Sequence, residues 1–207
     1  MQQENKTEGK LSFIAEARRE QIMEAAIRTL DEIGYVNASL AQIAKRAGIS
    51  TALISYHFSD KNDLMNHLLM RLVNRSTAYI VERVGLADTP TDKLTAFIMA
   101  SLAYQGTHPL EYSALIEIVF NARSPENIPY YRLTDEEDED ESMAALVRII
   151  REGQERGEFA DCDVNVAANM VQGAIGEYML NFAITRKVDL ESYGSELVRL
   201  ILRSVTK

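Results

Sequence analysis

Between Ser39 and Lys61 the chain reads SLAQIAKRAGISTALISYHFSDK, two short helical segments joined at a glycine and closed by an aromatic, basic edge. Ser39 precedes Gln42 by three residues, so each side chain can cap the other's backbone at a helix start. Leu40, Ile43, Ala44 and Ala47 recur at helical spacing, which turns one stripe to a core and leaves Lys45 and Arg46 towards water. Gly48 tolerates the left-handed conformation of a sharp turn, Ile49 can plug the corner, and Ser50 caps the next helix.

That second helix carries the pattern of a groove reader. Thr51, Ala52 and Ser55 are small enough to let a backbone approach base edges, whereas Leu53, Ile54 and Phe58 supply bulk for packing. Tyr56 and His57 follow, with groups that donate hydrogen bonds to phosphate oxygens. Lys61 stands in the first turn of the next helix, where free N–H groups also favour an anion. Ser39, Lys45, Ser50, Thr51, Ala52, Ser55, Tyr56, His57 and Lys61 are therefore the candidate contacts to double-stranded DNA. The same punctuation occurs in ordinary helical bundles, and Tyr56 or His57 alone is more often a half-buried ring or a surface residue. Their co-occurrence with Lys61 favours nucleic acid.

The run AGISTALISYHFSDKNDL, from Ala47 to Leu64, resembles the DNA-binding domain of the tetracycline-repressor (TetR) family of one-component bacterial regulators. The resemblance covers the stretch from Ala17 to Leu72, with the glycine, the capping serine, Tyr56-His57-Phe58 and Lys61 in the family's register. Many members carry a tyrosine next to the Tyr56 position where this chain has Ser55, so operator contacts are expected to differ there. The resemblance implies an all-α fold: an N-terminal three-helix helix-turn-helix domain followed by a C-terminal helical domain for ligand binding and dimerisation. It implies a ligand-responsive repressor released from a palindromic operator. A transcriptional activator, or a helical ligand-binding protein without DNA, is the alternative.

Length and composition bound what remains. A chain of 207 residues with 46% hydrophobic content and few glycines or prolines predicts two helical domains. The expected division is a flexible arm over 1–12, the helix-turn-helix domain over 13–62 and the ligand-binding and dimerisation domain over 63–207. Cys162 is the one cysteine and cannot form an internal disulfide. No apolar run is long enough for a bilayer or a signal peptide, so a cytoplasmic protein without a membrane partner is expected. His57, His67 and His108 are scattered, and GxSxG, HExxH, CxxC and phosphate-loop patterns are missing. No catalytic residue, metal or cofactor is expected.

The net charge of −9 runs against phosphate binding, but its distribution removes the objection. Up to Asn62 eight Lys and Arg balance eight Asp and Glu, so all of the excess acid lies beyond. Seven consecutive acids, DEEDEDE, fill 135–141 and read as a solvated loop.

Helical periodicity predicts a first helix from Ser12 or Phe13 to Ile33, closed by Gly34, and a long one from Lys61 to Val84 capped by Asp60. Further helices are expected over 90–105, 110–122, 142–155, 165–185 and 190–205. The helix over 165–185 is rich in small and apolar residues. The resemblance implies that the last two helices build a four-helix homodimer interface, with Val171, Ile175, Met179, Phe182, Leu197 and Ile201 as candidates. It also implies a small-molecule effector inside the C-terminal domain. Candidate lining residues are Met99, Tyr104, His108, Tyr112, Glu117, Phe120, Met170, Glu177 and Tyr178, although plain core is the more ordinary role for each. Among them the polar tips Tyr104, Tyr112, Glu117, Glu177 and Tyr178 are the more telling set, because a buried carboxylate or phenol needs a partner that a ligand could supply.

Overall fold

The computed structural model describes residues 2–132 and 141–206, and the regular elements among them are all helices, with only isolated bridges at Arg123–Pro129 and Phe159–Thr206. Of the acidic run, 135–140 lies outside the described residues, and Glu141 opens a helix. The chain forms two compact units: Met1–Leu72 with Leu110–Leu133, and Val73–Pro109 with Thr134–Lys207.

In the first unit, helix α1 (Gln2–Asn37) leads through α2 (Leu40–Ala47) and α3 (Thr51–His57) into α4 (Lys61–Val84). Helix α6 (Pro109–Asn121) and a 3-10 turn at Tyr130–Arg132 complete it. Its core gathers Ile22, Ala26 and Leu30 of α1, Ile43 of α2, Ile54 of α3, Phe58, and Leu64, Leu68 and Leu72 of α4. Ala114, Ile118 and Ala122, at the spacing of one helical face, seat α6 in that same core. The unit thus takes in α6 and the first half of α4, whereas the sequence reading placed its limit at 62.

The first helix corrects an expectation. Where the sequence reading set a flexible arm over 1–12, α1 already runs from Gln2. Polar residues such as Gln, Glu and Lys form helix readily, and a helix with no apolar stripe leaves no periodic signal. At the other end Gly34 breaks the helix at φ 73° and ψ 166°, a backbone that side-chain-bearing residues rarely adopt.

The second unit holds the remainder of α4 and α5 (Pro90–Thr107), α7 (Glu141–Glu155), α8 (Val164–Leu180), the short α9 (Phe182–Thr185) and α10 (Leu190–Val205). Leu94, Phe97, Ile98, Leu146, Ile150, Phe159, Val171, Ile175, Leu197 and Ile201 form its core. Helix ends are closed by side chains. The Thr89 hydroxyl accepts from the Asp92 N–H at 3.1 Å, and the Asp163 carboxylate accepts from the Asn165 and Val166 N–H groups at 2.8 and 3.1 Å. The helix expected to continue to Thr185 stops at Leu180, because Asn181 accepts from the Ala183 and Ile184 N–H groups and starts a new turn.

Ile54 is wholly buried at the centre of the seven-residue α3. Replacing it by alanine is expected to lower the unfolding free energy by about 2–5 kcal/mol. Urea unfolding followed by circular dichroism measures this, and an unchanged midpoint would show that α3 is not seated as described.

Candidate nucleic-acid interface

The expected cap pattern forms around the turn. Ser39 accepts from the Gln42 N–H at 3.3 Å and caps α2, while its hydroxyl donates to Gln42 Oε1 at 2.7 Å, so Gln42 meets the Ser39 side chain and not its backbone N–H. Gly48 adopts φ 68° and ψ 32°, and the Ile49 N–H donates back to the Ala44 carbonyl at 3.0 Å. Ser50 accepts from the Leu53 N–H at 3.2 Å and starts α3. The far end closes when the Phe58 N–H donates to the Ile54 carbonyl at 2.9 Å.

Held in this way, α3 divides cleanly. Ile54 and Phe58 are buried, while Thr51, Ala52, Ser55 and Tyr56 are exposed, Tyr56 to 81%. Ser39, Lys45 and Ser50 are exposed as well. Tyr56 and His57 meet edge to face with ring centroids 5.0 Å apart. Burial, helped by the charges of Arg19 and Arg18, holds the His57 imidazole below its ordinary pKa, so it is neutral at pH 7 and offers a single N–H.

Helix α1 brings Arg18 and Arg19 to the end of α3, where their charges act on His57. Arg19 lies 5.7 Å from the Phe58 ring centroid. Arg18 donates to Gln21 Oε1 at 2.5 Å, and Gln21 Nε2 donates to the Ala47 carbonyl at 2.7 Å, tying α1 to the end of α2. Sequence spacing cannot show this cluster, because its members lie about forty residues apart along the chain.

Lys61 occupies a different place from the one expected. Its ammonium donates to the Tyr35 carbonyl at 2.5 Å and lies 4.2 Å from the Tyr35 ring centroid. Burial lowers its pKa. At least one of its three N–H bonds is thus committed to the protein.

Residues 22–68, which hold this whole arrangement from the core of α1 to α4, match the family model described as "Bacterial regulatory proteins, tetR family". This stretch is tetR-type in sequence. Among curated proteins, 82 residues of the chain align at 35% identity with the HTH-type transcriptional regulator BetI of Stenotrophomonas maltophilia. The aligned part is 39% of this chain and 42% of that one, so the chain spans less than half the length of the curated relatives it matches. Among solved structures, a bacterial regulatory protein in the tetR family from Rhodococcus superposes with a TM-score of 0.77 at 20% identity, over 91% of this chain and 97% of that one. The transcriptional regulator FadR from Bacillus subtilis in complex with stearoyl-CoA superposes with a TM-score of 0.73 at 22% identity, over 88% and 97%. These two likenesses establish the all-α fold, including the helical C-terminal part.

The residues proposed from sequence to line an effector pocket divide between the units. Tyr112, Glu117 and Phe120 belong to the first; Met99, Tyr104, His108, Met170, Glu177 and Tyr178 belong to the second. Glu117 is a correction: its carboxylate accepts the Tyr35 N–H at 2.8 Å instead of awaiting a ligand. Phe120 and Met170 are exposed. In the second unit the Tyr104 ring stacks on His108, centroids 4.2 Å apart and 12° from parallel, and Tyr79 tilts against it. Tyr178 is buried and donates to the Val188 carbonyl at 3.0 Å. Gln105, which sequence reading missed, buries its Oε1 without a hydrogen-bond partner. Its only sequence signal was an amide at a core position of α5.

Of the expected dimer residues, Val171, Ile175, Leu197 and Ile201 are buried in the core of their own chain. Helix α8 is apolar nearly all round, so sequence alone left its two faces indistinguishable. Its outward residues are Asn165, Val166, Asn169, Met170, Gly173, Glu177 and Leu180. Met179 is half-buried, and Phe182 is exposed to 75%.

Among the described residues, no group of three or more His, Cys, Asp or Glu could hold a metal ion, and no helix is long and apolar enough to cross a membrane.

A phosphate beside His57 would favour the imidazolium, so DNA binding is expected to take up a proton and to tighten as pH falls from about 7 to about 5.5. Fluorescence anisotropy with duplex DNA measures this, and His57→Gln should flatten the dependence; a pH-independent wild type would remove His57 from the phosphate contacts. Tyr56→Ala should weaken binding to all sequences and lower the salt slope, whereas Thr51→Ala should redistribute preference between sequences.

Proposed function

We propose that this chain is a DNA-binding transcriptional regulator that acts as a homodimer on a palindromic operator and is released by a small-molecule effector. The observation that carries this reading is the exposed face of α3. Thr51, Ala52, Ser55 and Tyr56 project from a short helix whose other side is locked into the core, inside a tetR-type domain. Small side chains leave the backbone near base edges, and the Tyr56 hydroxyl, the His57 N–H, Arg18 and Arg19 offer donors to the flanking phosphates. Lys61 adds to these through the N–H bonds that Tyr35 does not use.

Two copies are needed, because one short helix reads only a half-site and two readers related by a two-fold axis match a palindrome one DNA turn or a multiple apart. The exposed apolar stripe of Val166, Met170 and Leu180 on α8, together with Phe182, supports a self-complementary interface there. A monomer would leave this surface in water.

Residues of the second unit support an effector site there. Tyr104, His108 and the unpartnered Gln105 Oε1 supply aromatic surface and a buried acceptor, which suits a ligand with an apolar body and an N–H or O–H donor. FadR of Bacillus subtilis, which shares the fold, was solved with stearoyl-CoA, and an amphiphilic acyl compound is a first probe for this chain. An effector that prefers the non-binding conformation by about 1–3 kcal/mol weakens DNA binding roughly five- to more than a hundred-fold, enough for induction.

Selection of bound fragments from genomic DNA is expected to recover a palindrome; recovery of fragments without common sequence would overturn the regulator reading. Met170→Glu should convert the dimer to monomer in size-exclusion chromatography with light scattering. A dimer that survives this change uses another surface.

A further inference from the structure

An amide freed by the break at the end of α1 finds its acceptor in a distant part of the sequence. Gly34, at φ 73° and ψ 166°, takes the backbone out of helical register, so the Tyr35 N–H cannot continue the ladder of α1. It donates instead to Glu117 Oε2 at 2.8 Å, across 82 positions of sequence. Asn121 Nδ2, one turn further along α6, donates to the same oxygen at 3.3 Å and to the Glu117 carbonyl at 3.0 Å, which orients the carboxylate.

The rest of Tyr35 is held from the other side. Its carbonyl accepts from Lys61 Nζ, and its hydroxyl donates to Asn62 Oδ1 at 3.2 Å, both at the start of α4. Tyr35 is itself buried, and four residues later Ser39 caps α2. One residue in the last turn of α1, just past the Gly34 break, is thereby fixed to α6 through its amide and to α4 through its carbonyl and hydroxyl. The sequence around Glu117, SALIEIVF, is otherwise apolar apart from its serine, so the one charge in the run sits where the freed amide needs an acceptor.

We infer that Glu117 is a positioning residue for DNA recognition, fixing the corner between α1 and α2 and with it the setting of α2 and α3. This rests on the regulator reading above.

The test uses the full chain and three variants. Glu117→Met removes the acceptor at similar volume, Glu117→Gln keeps a carbonyl oxygen within reach, and Glu117→Asp keeps the charge but retracts it by one methylene. Amide hydrogen exchange over 34–38 should be about 10- to 100-fold faster in the Met variant, the size expected for loss of a hydrogen bond to a charged group, and largely restored in the Gln variant. Affinity for a fragment recovered by the genomic selection should fall about 10-fold or more relative to a random duplex of equal length, again with rescue by Gln. A merely structural role would weaken both duplexes alike. Should the Met variant fail to fold, the Asp variant must show the same faster exchange and the same fall in preference. Unchanged exchange, an unchanged preference between duplexes, or failure of Gln to rescue would each overturn the positioning role. A wild type that binds neither duplex overturns the regulator reading itself and this role with it, which separates the two failures.

Discussion

Helix α3 has seven residues, too few to persist in water, since a helix that short does not repay the cost of its nucleus. What keeps it formed is the complete burial of Ile54, with Phe58 just beyond its end, against α1, α2 and α4. The two caps, Ser50 at one end and the Phe58 N–H at the other, remove the free polar groups that a short helix would otherwise expose. Because that side is fixed, the opposite side is fixed as well. The presentation of Thr51, Ala52, Ser55 and Tyr56 is a consequence of core packing, which holds a surface of small residues in one orientation.

Charge in the first unit does two kinds of work. Arg18, Arg19 and His57 gather at the end of α3, where they can meet phosphates. Lys61 and Glu117 turn inward and bind opposite ends of the Tyr35 peptide groups. The acidic total of the chain therefore says little about its DNA affinity, because local placement and internal commitment decide which charges reach the duplex. Lys61 illustrates the difference: its type and position in sequence suit a phosphate contact, yet the Tyr35 carbonyl, in the turn after Gly34, takes a hydrogen bond from its ammonium.

In the second unit the same physics makes the sequence harder to read. Helix α8 carries alanine, glycine, valine, isoleucine and methionine around its circumference, so periodicity does not separate the side that meets α5, α7 and α10 from the side left bare. Val171 and Ile175 fall on the inner side and Val166 and Met170 on the outer. Helix boundaries were more legible, because Thr89, Asp163, Asp189 and Gly157 are local stop and start signals. Asn181 shows the limit of that approach: within an apolar stretch it reads as a tolerated polar residue, but its side chain captures two amides and divides the helix.

By itself the sequence determined the helical fold class, the turn at Gly48, the caps at Ser39 and Ser50, and the set of exposed small residues on α3. All of these depend on neighbours within a few positions, where spacing and local hydrogen bonding act. Only the tertiary structure decided that Glu117 serves the backbone of Tyr35, that Lys61 points inward, that Arg18 and Arg19 join His57, and which face of α8 is core. Each of these depends on groups brought together from distant parts of the chain, and the energy of such contacts leaves no periodic trace in the sequence.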